Sequence, residues 1–151
     1  MRKIMFLAAA LLLTTTVAFG ATFAATDDDR TIRYDELPAA AQTFISKYFA
    51  KEQVSHASLD QGIISSEYKV VFVSGTKLEF DGDGEWTELD CRYAAVPNDL
   101  VPAQIADYVK KNYPNSKITE LKREHNEWEA KITGGLELTF NDSFKLVDID
   151  D

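Results

Sequence analysis

The sequence predicts an α+β fold: a tandem repeat of one helix plus about four antiparallel strands, with both helices packed on one face of an antiparallel sheet. Three observations lead there. The chain repeats itself at a nearly constant offset. Each half opens with apolar residues at helical spacing and then changes to period two. Short turns rich in Gly and Asp separate the alternating segments.

The repeat is read residue by residue. At an offset of 64, Pro38 corresponds to Pro102, Ala41 to Ile105, Phe44 to Tyr108, Ile45 to Val109, Lys47 to Lys111 and Phe49 to Tyr113. Val54 and Ala57 then correspond to Ile118 and Leu121. Beyond the loop at Asp60 to Ser66 the offset becomes 60, matching Tyr68 with Trp128, Phe72 with Ile132, Gly75 with Gly135, Leu78 with Leu138 and Phe80 with Phe140. An ordered series of this kind points to duplication, with four extra residues in one turn of the first half.

In the first helix Ala41, Phe44, Ile45 and Tyr48 fall at i, i+3, i+4 and i+7, and Ile105, Tyr108 and Val109 repeat the face. Pro38 and Pro102 suit a helix start, where a missing N–H costs nothing. Pro114-Asn115-Ser116 stops the second helix. Strands are expected at Val54 to Leu59, Glu67 to Val73, Thr76 to Phe80 and Glu85 to Asp90. Their counterparts are Ile118 to Lys122, the Trp128 to Ile132 segment, Leu136 to Phe140 and Lys145 to Asp150. Ser74-Gly75 and Gly134-Gly135 read as tight hairpin turns. The expected layout is a signal peptide at 1–24, a solvated linker at 25–34, and repeats at 35–94 and 95–151 that combine into one domain.

The leader carries Arg2 and Lys3, an apolar run from Ile4 to Leu13, and small residues suited to cleavage at Ala18-Phe19-Gly20 or Thr22-Phe23-Ala24. The run is about half the ~20 residues of a membrane-spanning helix. The expected location is the periplasm or the exterior, with no stable membrane anchor after cleavage. Losing Arg2 and Lys3 takes the net charge from −9 to −11. Such acidity excludes nucleic acid, whose phosphates require Lys and Arg, and opposes anionic membranes. Cys91 is the single cysteine, so it forms no internal disulfide; it reads as a small core residue or a partner in an intermolecular bridge.

Little points to catalysis. His56 and His125 lie at non-equivalent positions of the repeat, and zinc needs three or four clustered ligands. Asp81-Gly82-Asp83-Gly84 resembles the start of a calcium loop, but positions 6 and 12 are Trp86 and Arg92 where Gly and Glu are required. Asp and Gly there suit a turn. No nucleophile or phosphate-loop motif occurs. The expectation is no enzyme activity, no cofactor and no metal.

The uncovered sheet face is the candidate surface. If Tyr68, Val70 and Phe72 point toward the helix, then Glu67, Lys69, Val71 and Val73 point outward. The same parity sends Trp86, Glu88 and Asp90 outward with Glu79, and Leu146 and Asp148 in the second half. Trp86 is then either a partner anchor, a role tryptophan often fills, or a sheet-edge residue beneath a loop.

The Leu37-Pro38 helix with Phe44-Ile45 and Lys47-Tyr48-Phe49, the Glu67-Tyr68-Lys69-Val70 strand, and the hairpin Leu78-Glu79-Phe80-Asp81 through Gly84-Glu85-Trp86 resemble the PepSY-like family of exported bacterial proteins. The resemblance spans nearly all of the mature chain. The second half departs at Asn141 to Phe144, where the Gly-x-Trp portion is missing. The resemblance implies a fold similar to β-lactamase inhibitor protein, with two helix-plus-four-strand repeats whose sheets join into one curved surface. In that inhibitor the concave sheet grips an enzyme, and PepSY domains restrain peptidases. The expected function is therefore a non-catalytic, protein-binding domain that inhibits or modulates an envelope enzyme through the open sheet. Its unidentified protein partner would meet Trp86, Val71, Val73, Lys69, Glu67, Glu79, Glu88 and Asp90. The alternative is a small-ligand or cation-binding envelope protein.

Overall fold

The structure, a computed structural model, describes residues 29–151. The expected leader and the first part of the expected linker lie outside the described residues. Those residues form one antiparallel sheet of nine strands in sequential order. The strands are β1 (Asp29–Ile32), β2 (Val54–Gln61), β3 (Ser66–Phe72), β4 (Lys77–Asp81), β5 (Trp86–Asp90), β6 (Ile118–Glu124), β7 (Glu127–Ile132), β8 (Glu137–Asn141) and β9 (Leu146–Asp150). Helix α1 (Ala39–Tyr48) precedes β2, and α2 (Ala103–Asn112) precedes β6. Most elements fall within a residue or two of their expected bounds. The segment expected as linker differs: Asp29 to Ile32 pairs with Asp60 to Ala57 along β2, and Ile32 is buried. A single apolar residue at the right parity lets four mostly polar residues close the sheet edge.

Both helices start directly after a proline, Pro38 and Pro102, each at φ −53°. Ala41 and Ile45 of α1, and Ile105 and Val109 of α2, are buried against the sheet. Phe44 meets Phe80 edge to face at 5.7 Å, and Tyr108 meets Phe140 the same way at 5.4 Å. Asn112, which stands where α1 has Tyr48, donates from Nδ2 back to the Tyr108 carbonyl one turn earlier at 2.9 Å.

The core is a ladder. Val70, Leu78, Leu89, Leu121, Ala130 and Leu138 are direct cross-strand neighbours from β3 to β8, and each is 0% exposed. Both helices cover this face, and among the described residues the opposite face carries no helix. The step from β5 to β6, with Leu89 opposite Leu121, makes one sheet of the two halves.

Four bulges interrupt the register. They lie at Val54/His56, Glu79/Phe80, Ile118/Glu120 and Thr139/Phe140. The second and fourth each insert one residue, Thr87 and Val147, which flips parity for what precedes it in its strand. Trp86 therefore lies opposite Phe80 on the helix side, not on the open face. Leu146, also expected outward, packs against the core for the same reason.

The turn between β4 and β5 explains Asp81-Gly82-Asp83-Gly84. Asp81 Oδ1 accepts from the backbone N–H of Asp83 at 3.0 Å and of Glu85 at 2.9 Å. Asn141 does the same for Ser143 and Lys145 between β8 and β9. Gly84 has φ +84°, and a Cβ there would lie 2.7 Å from Pro38 Cβ and 3.1 Å from the Ala41 nitrogen. The turn thus rests on the start of α1 through a residue that has no side chain.

Gly84→Ala is expected to destabilise the fold by about 2–3 kcal/mol, combining backbone strain with a clash. Gly134→Ala, also at positive φ but with nothing within 4 Å, should cost about 1 kcal/mol. Urea unfolding of both variants at unchanged m-value measures the difference.

Candidate functional site

The open face is built from residues that alternate with the apolar ladder. One cross-strand row runs Ser58, Lys69, Glu79, Glu88, Lys122, Glu129, Thr139 and Asp148 from β2 to β9. The next runs His56, Val71, Lys77, Asp90, Glu120, Lys131, Glu137 and Asp150. Pairs of opposite charge form within them: Lys69 Nζ lies 3.0 Å from Glu79, and Lys131 Nζ lies 3.6 Å from both Glu120 and Glu137. Cross-strand pairs of this kind hold a polar face together, each weakly.

Glu88 is the exception at the centre. Its row neighbours are Glu79, already engaged by Lys69, and Lys122, whose Nζ turns to Glu124 at 3.2 Å. Burial, with added repulsion from Glu79 and Glu120, pushes the Glu88 carboxyl up to about 7, and Lys122 only partly opposes this. Glu67 is raised too, by burial first and then by a hydrogen bond with Glu79 and that residue's charge. The Lys69 ammonium is raised chiefly by its hydrogen bond to Glu79. A depression of about 370 Å³ on this face is bordered by Ser66, Glu67, Glu79, Glu88, Lys122 and His125.

The structure brings Glu67, Lys69, Glu79, Glu88 and Asp90 together on the open face, with Val71 among them. Val73 lies past the end of β3, exposed in the following turn, with its N–H donating to the Gln53 carbonyl at 2.8 Å. Trp86 does not join them and is not an exposed anchor. It is 9% exposed, with its ring 6.4 Å from Phe44 and 6.0 Å from Trp128. Arg123 lies over that ring at 4.6 Å and donates from Nε to the Trp86 carbonyl at 2.7 Å. Tryptophan here joins α1 to the β6–β7 hairpin.

Two contributions escaped the sequence. Lys122 and Glu120 reach the site because β6 pairs with β5, a long-range event that alternation within Ile118 to Glu124 hints at without locating. Ile63 and Ile64, at the β2–β3 hairpin tip, are 105% and 99% exposed. Their signal was an apolar pair in the very loop where the first half is longer.

Among the described residues no three His, Cys, Asp or Glu side chains are arranged to hold a metal ion, and no helix is long and apolar enough to cross a membrane. His56 lies exposed on β2 and His125 in the β6–β7 turn. Cys91 is buried, and burial first, then Asp90 and Glu52, pushes its thiol up to about 11. A thiol so placed is a poor nucleophile.

A family described as "Putative beta-lactamase-inhibitor-like, PepSY-like" matches residues 66–148. Among solved structures, a "putative periplasmic protein" of the DUF2874 family from Bacteroides vulgatus ATCC 8482 is 40% identical. That match covers 83% of this chain and 99% of the other at a TM-score of 0.80. A "putative calcium-regulated periplasmic protein" from Bacteroides thetaiotaomicron is 38% identical over 83% of this chain and 98% of its own, with a TM-score of 0.79. A second Bacteroides vulgatus ATCC 8482 protein, "of unknown function" and also described as periplasmic, is 30% identical over 82% and 99%, with a TM-score of 0.77. No curated protein matches.

Two outcomes test this geometry. The folded state holds the Glu88 proton to a higher pH than the unfolded chain does. The stabilisation is complete below about 4.5 and is lost as pH rises toward about 7. Glu88→Gln should therefore gain on the order of 1–2 kcal/mol relative to wild type between about pH 5 and pH 8. Denaturation at both pH values reads this. Trp86→Ala should cost about 3–5 kcal/mol as a core truncation; calorimetry showing unchanged stability would restore the exposed placement.

Proposed function

Because the chain belongs to the PepSY-like family, we propose that it is a non-catalytic protein of the bacterial envelope that binds another protein through its open sheet. The reading locates it in the periplasm or outside the cell, as with the three solved relatives described as periplasmic. One observation carries the proposal: a nine-stranded sheet packs both helices against one face and, among the described residues, leaves the other without a covering element. At the centre of that face Glu88 is half-buried and, among the described residues, makes no ion pair of its own. Isolated folding gains nothing from such a group, since desolvating a carboxylate without a partner opposes stability. A partner that supplies a cation would reverse the sign. The partner on this reading is an envelope enzyme that the protein restrains.

The two halves are further read as copies of one unit, 35–94 and 95–151. The bulges support this. Val54/His56 and Ile118/Glu120 are 64 apart, and Glu79/Phe80 and Thr139/Phe140 are 60 apart. These are the two offsets of the sequence repeat.

A second reading has a specific observation behind it. The raised carboxyls of Glu67 and Glu88 beside Glu79 would suit a cation, and one relative is described as calcium-regulated. Interleaved Lys69 and Lys122 weigh against it, since they occupy the positions of cations already.

The deciding experiment uses the mature protein as bait in envelope extract, beside a variant that exchanges charges across β5–β6 (Glu88→Lys with Lys122→Glu). A protein retained by wild type and lost by the folded variant is the expected outcome; equal retention refutes the open face. Calcium at millimolar concentration should leave Tm unchanged. A rise of several degrees, abolished by Glu88→Gln, would instead establish the cation reading.

A further inference from the structure

The end of the open face nearest the β2–β3 hairpin differs from the rest. Across β1 to β4 the cross-strand neighbours are Asp29, Asp60, Glu67 and Asp81, in that order. Four acids stand side by side with no base among them, whereas the adjoining row interposes Lys69 and Lys122. Like charges directly opposite each other destabilise a sheet, so this row weakens the fold that carries it. Immediately beyond it comes the pair Gln61–Ser66, and then the tip Gly62-Ile63-Ile64-Ser65. Both isoleucines project fully into water. The tip is a built turn: a Cβ on Gly62 would come within 2.8 Å of the Ser65 carbonyl. The corresponding β6–β7 turn is only two residues long, His125 and Asn126, and carries no apolar side chain. The first half thus carries an apolar extension that contributes nothing to the core, directly beside a row of acids with no Lys or Arg in it.

We propose that the isoleucine tip and the acidic row beneath it form one docking site for an extended protein segment bearing Lys or Arg at alternate positions next to an apolar residue. The inference rests on the open-face reading above and names the chemistry of its partner. Charge complementarity selects the occupant. A net charge of −9 for the whole chain, and the acids flanking the tip, repel anionic lipid and a second copy of this chain alike. Cations on the segment would neutralise Asp60, Glu67 and Asp81, and Ile63 and Ile64 would close on its apolar side chain. Side chains two apart in an extended segment are separated by about 6.5–7 Å, so a few alternate cations span the ~14 Å of a four-strand row. The carboxyl of Glu67 is raised by burial first, then by its hydrogen bond with Glu79 and that residue's charge, with a smaller contribution from Asp60 in the row, and Lys69 opposes this only in part.

The test uses three synthetic, end-blocked peptides: Lys-Ser-Lys-Ser-Leu-Leu, Glu-Ser-Glu-Ser-Leu-Leu and Lys-Ser-Lys-Ser-Ser-Ser. Each is titrated into isotopically labelled mature protein while amide shifts are followed. The first should bind saturably and move the amides of residues 60–67 and 81. The second should not bind, and the third should bind at least about fivefold more weakly. Ile63→Ser with Ile64→Ser should bring the first peptide down to the third and leave the third unchanged. Asp60→Asn with Glu67→Gln should abolish binding while the urea midpoint rises or holds, the signature of a row kept for binding and not for stability. The proposal fails if the variants bind as wild type does, or if shifts spread over the helices. It also fails if the isoleucine pair instead governs binding to phosphatidylglycerol vesicles or self-association in sedimentation. An envelope partner lost on the Glu88/Lys122 exchange but indifferent to the tip and row variants would refute this site and leave the open-face reading standing.

Discussion

Everything else in the molecule hangs from one apolar row that crosses the sheet perpendicular to its strands. Val70, Leu78, Leu89, Leu121, Ala130 and Leu138 are register partners across six successive strands, and none is exposed. Burying such side chains contributes roughly 1.5–3 kcal/mol each for the leucines and valine. The row also fixes register, since a slip of one residue in any strand would turn its apolar set to the open face. The middle link, Leu89 to Leu121, is where the two halves become one sheet. Without that pairing each half would present a short edge strand to water. With it, edges remain only at β1 and β9 among the described strands.

Once the row is set, the composition of the other face follows by alternation, and its energetics follow from what alternation places side by side. Where Lys intervenes between acids, as at Lys69 and Lys131, the face is close to neutral locally. Where burial combines with neighbouring acids, carboxyls hold their protons above the ordinary range, as Glu88 and Glu67 do. The fold tolerates these groups because the apolar row and two helices supply the stability. The open face is therefore free to carry charges that a self-contained domain would not keep.

Much of this was legible in the chain. The helices, eight of the strands and the uncovered face followed from periodicity, and Asp81 and Gly84 read correctly as turn residues. Trp86 did not, because parity counted along β5 assumes an unbroken strand, and Thr87 is an extra residue that only the pairing partner reveals. Leu146 was misplaced by the matching bulge at Val147. β1 was read as linker because three of its four residues are polar, and its strand character comes from the edge of β2 that it covers.

The local periods, the two offsets at which residues match and the acidity of the chain were all readable before any fold was known. These depend on residue spacing and composition alone. Which acids stand together depends instead on strand pairing. Asp29, Asp60, Glu67 and Asp81 come from four strands, and Glu88 meets Glu120 and Lys122 through a pairing between halves. Charge–charge effects act through space over a few ångströms, so they exist only after long-range pairing has fixed the register. The exposure of Ile63 and Ile64 is a tertiary fact for the same reason: no other element among the described residues reaches the hairpin tip to cover them.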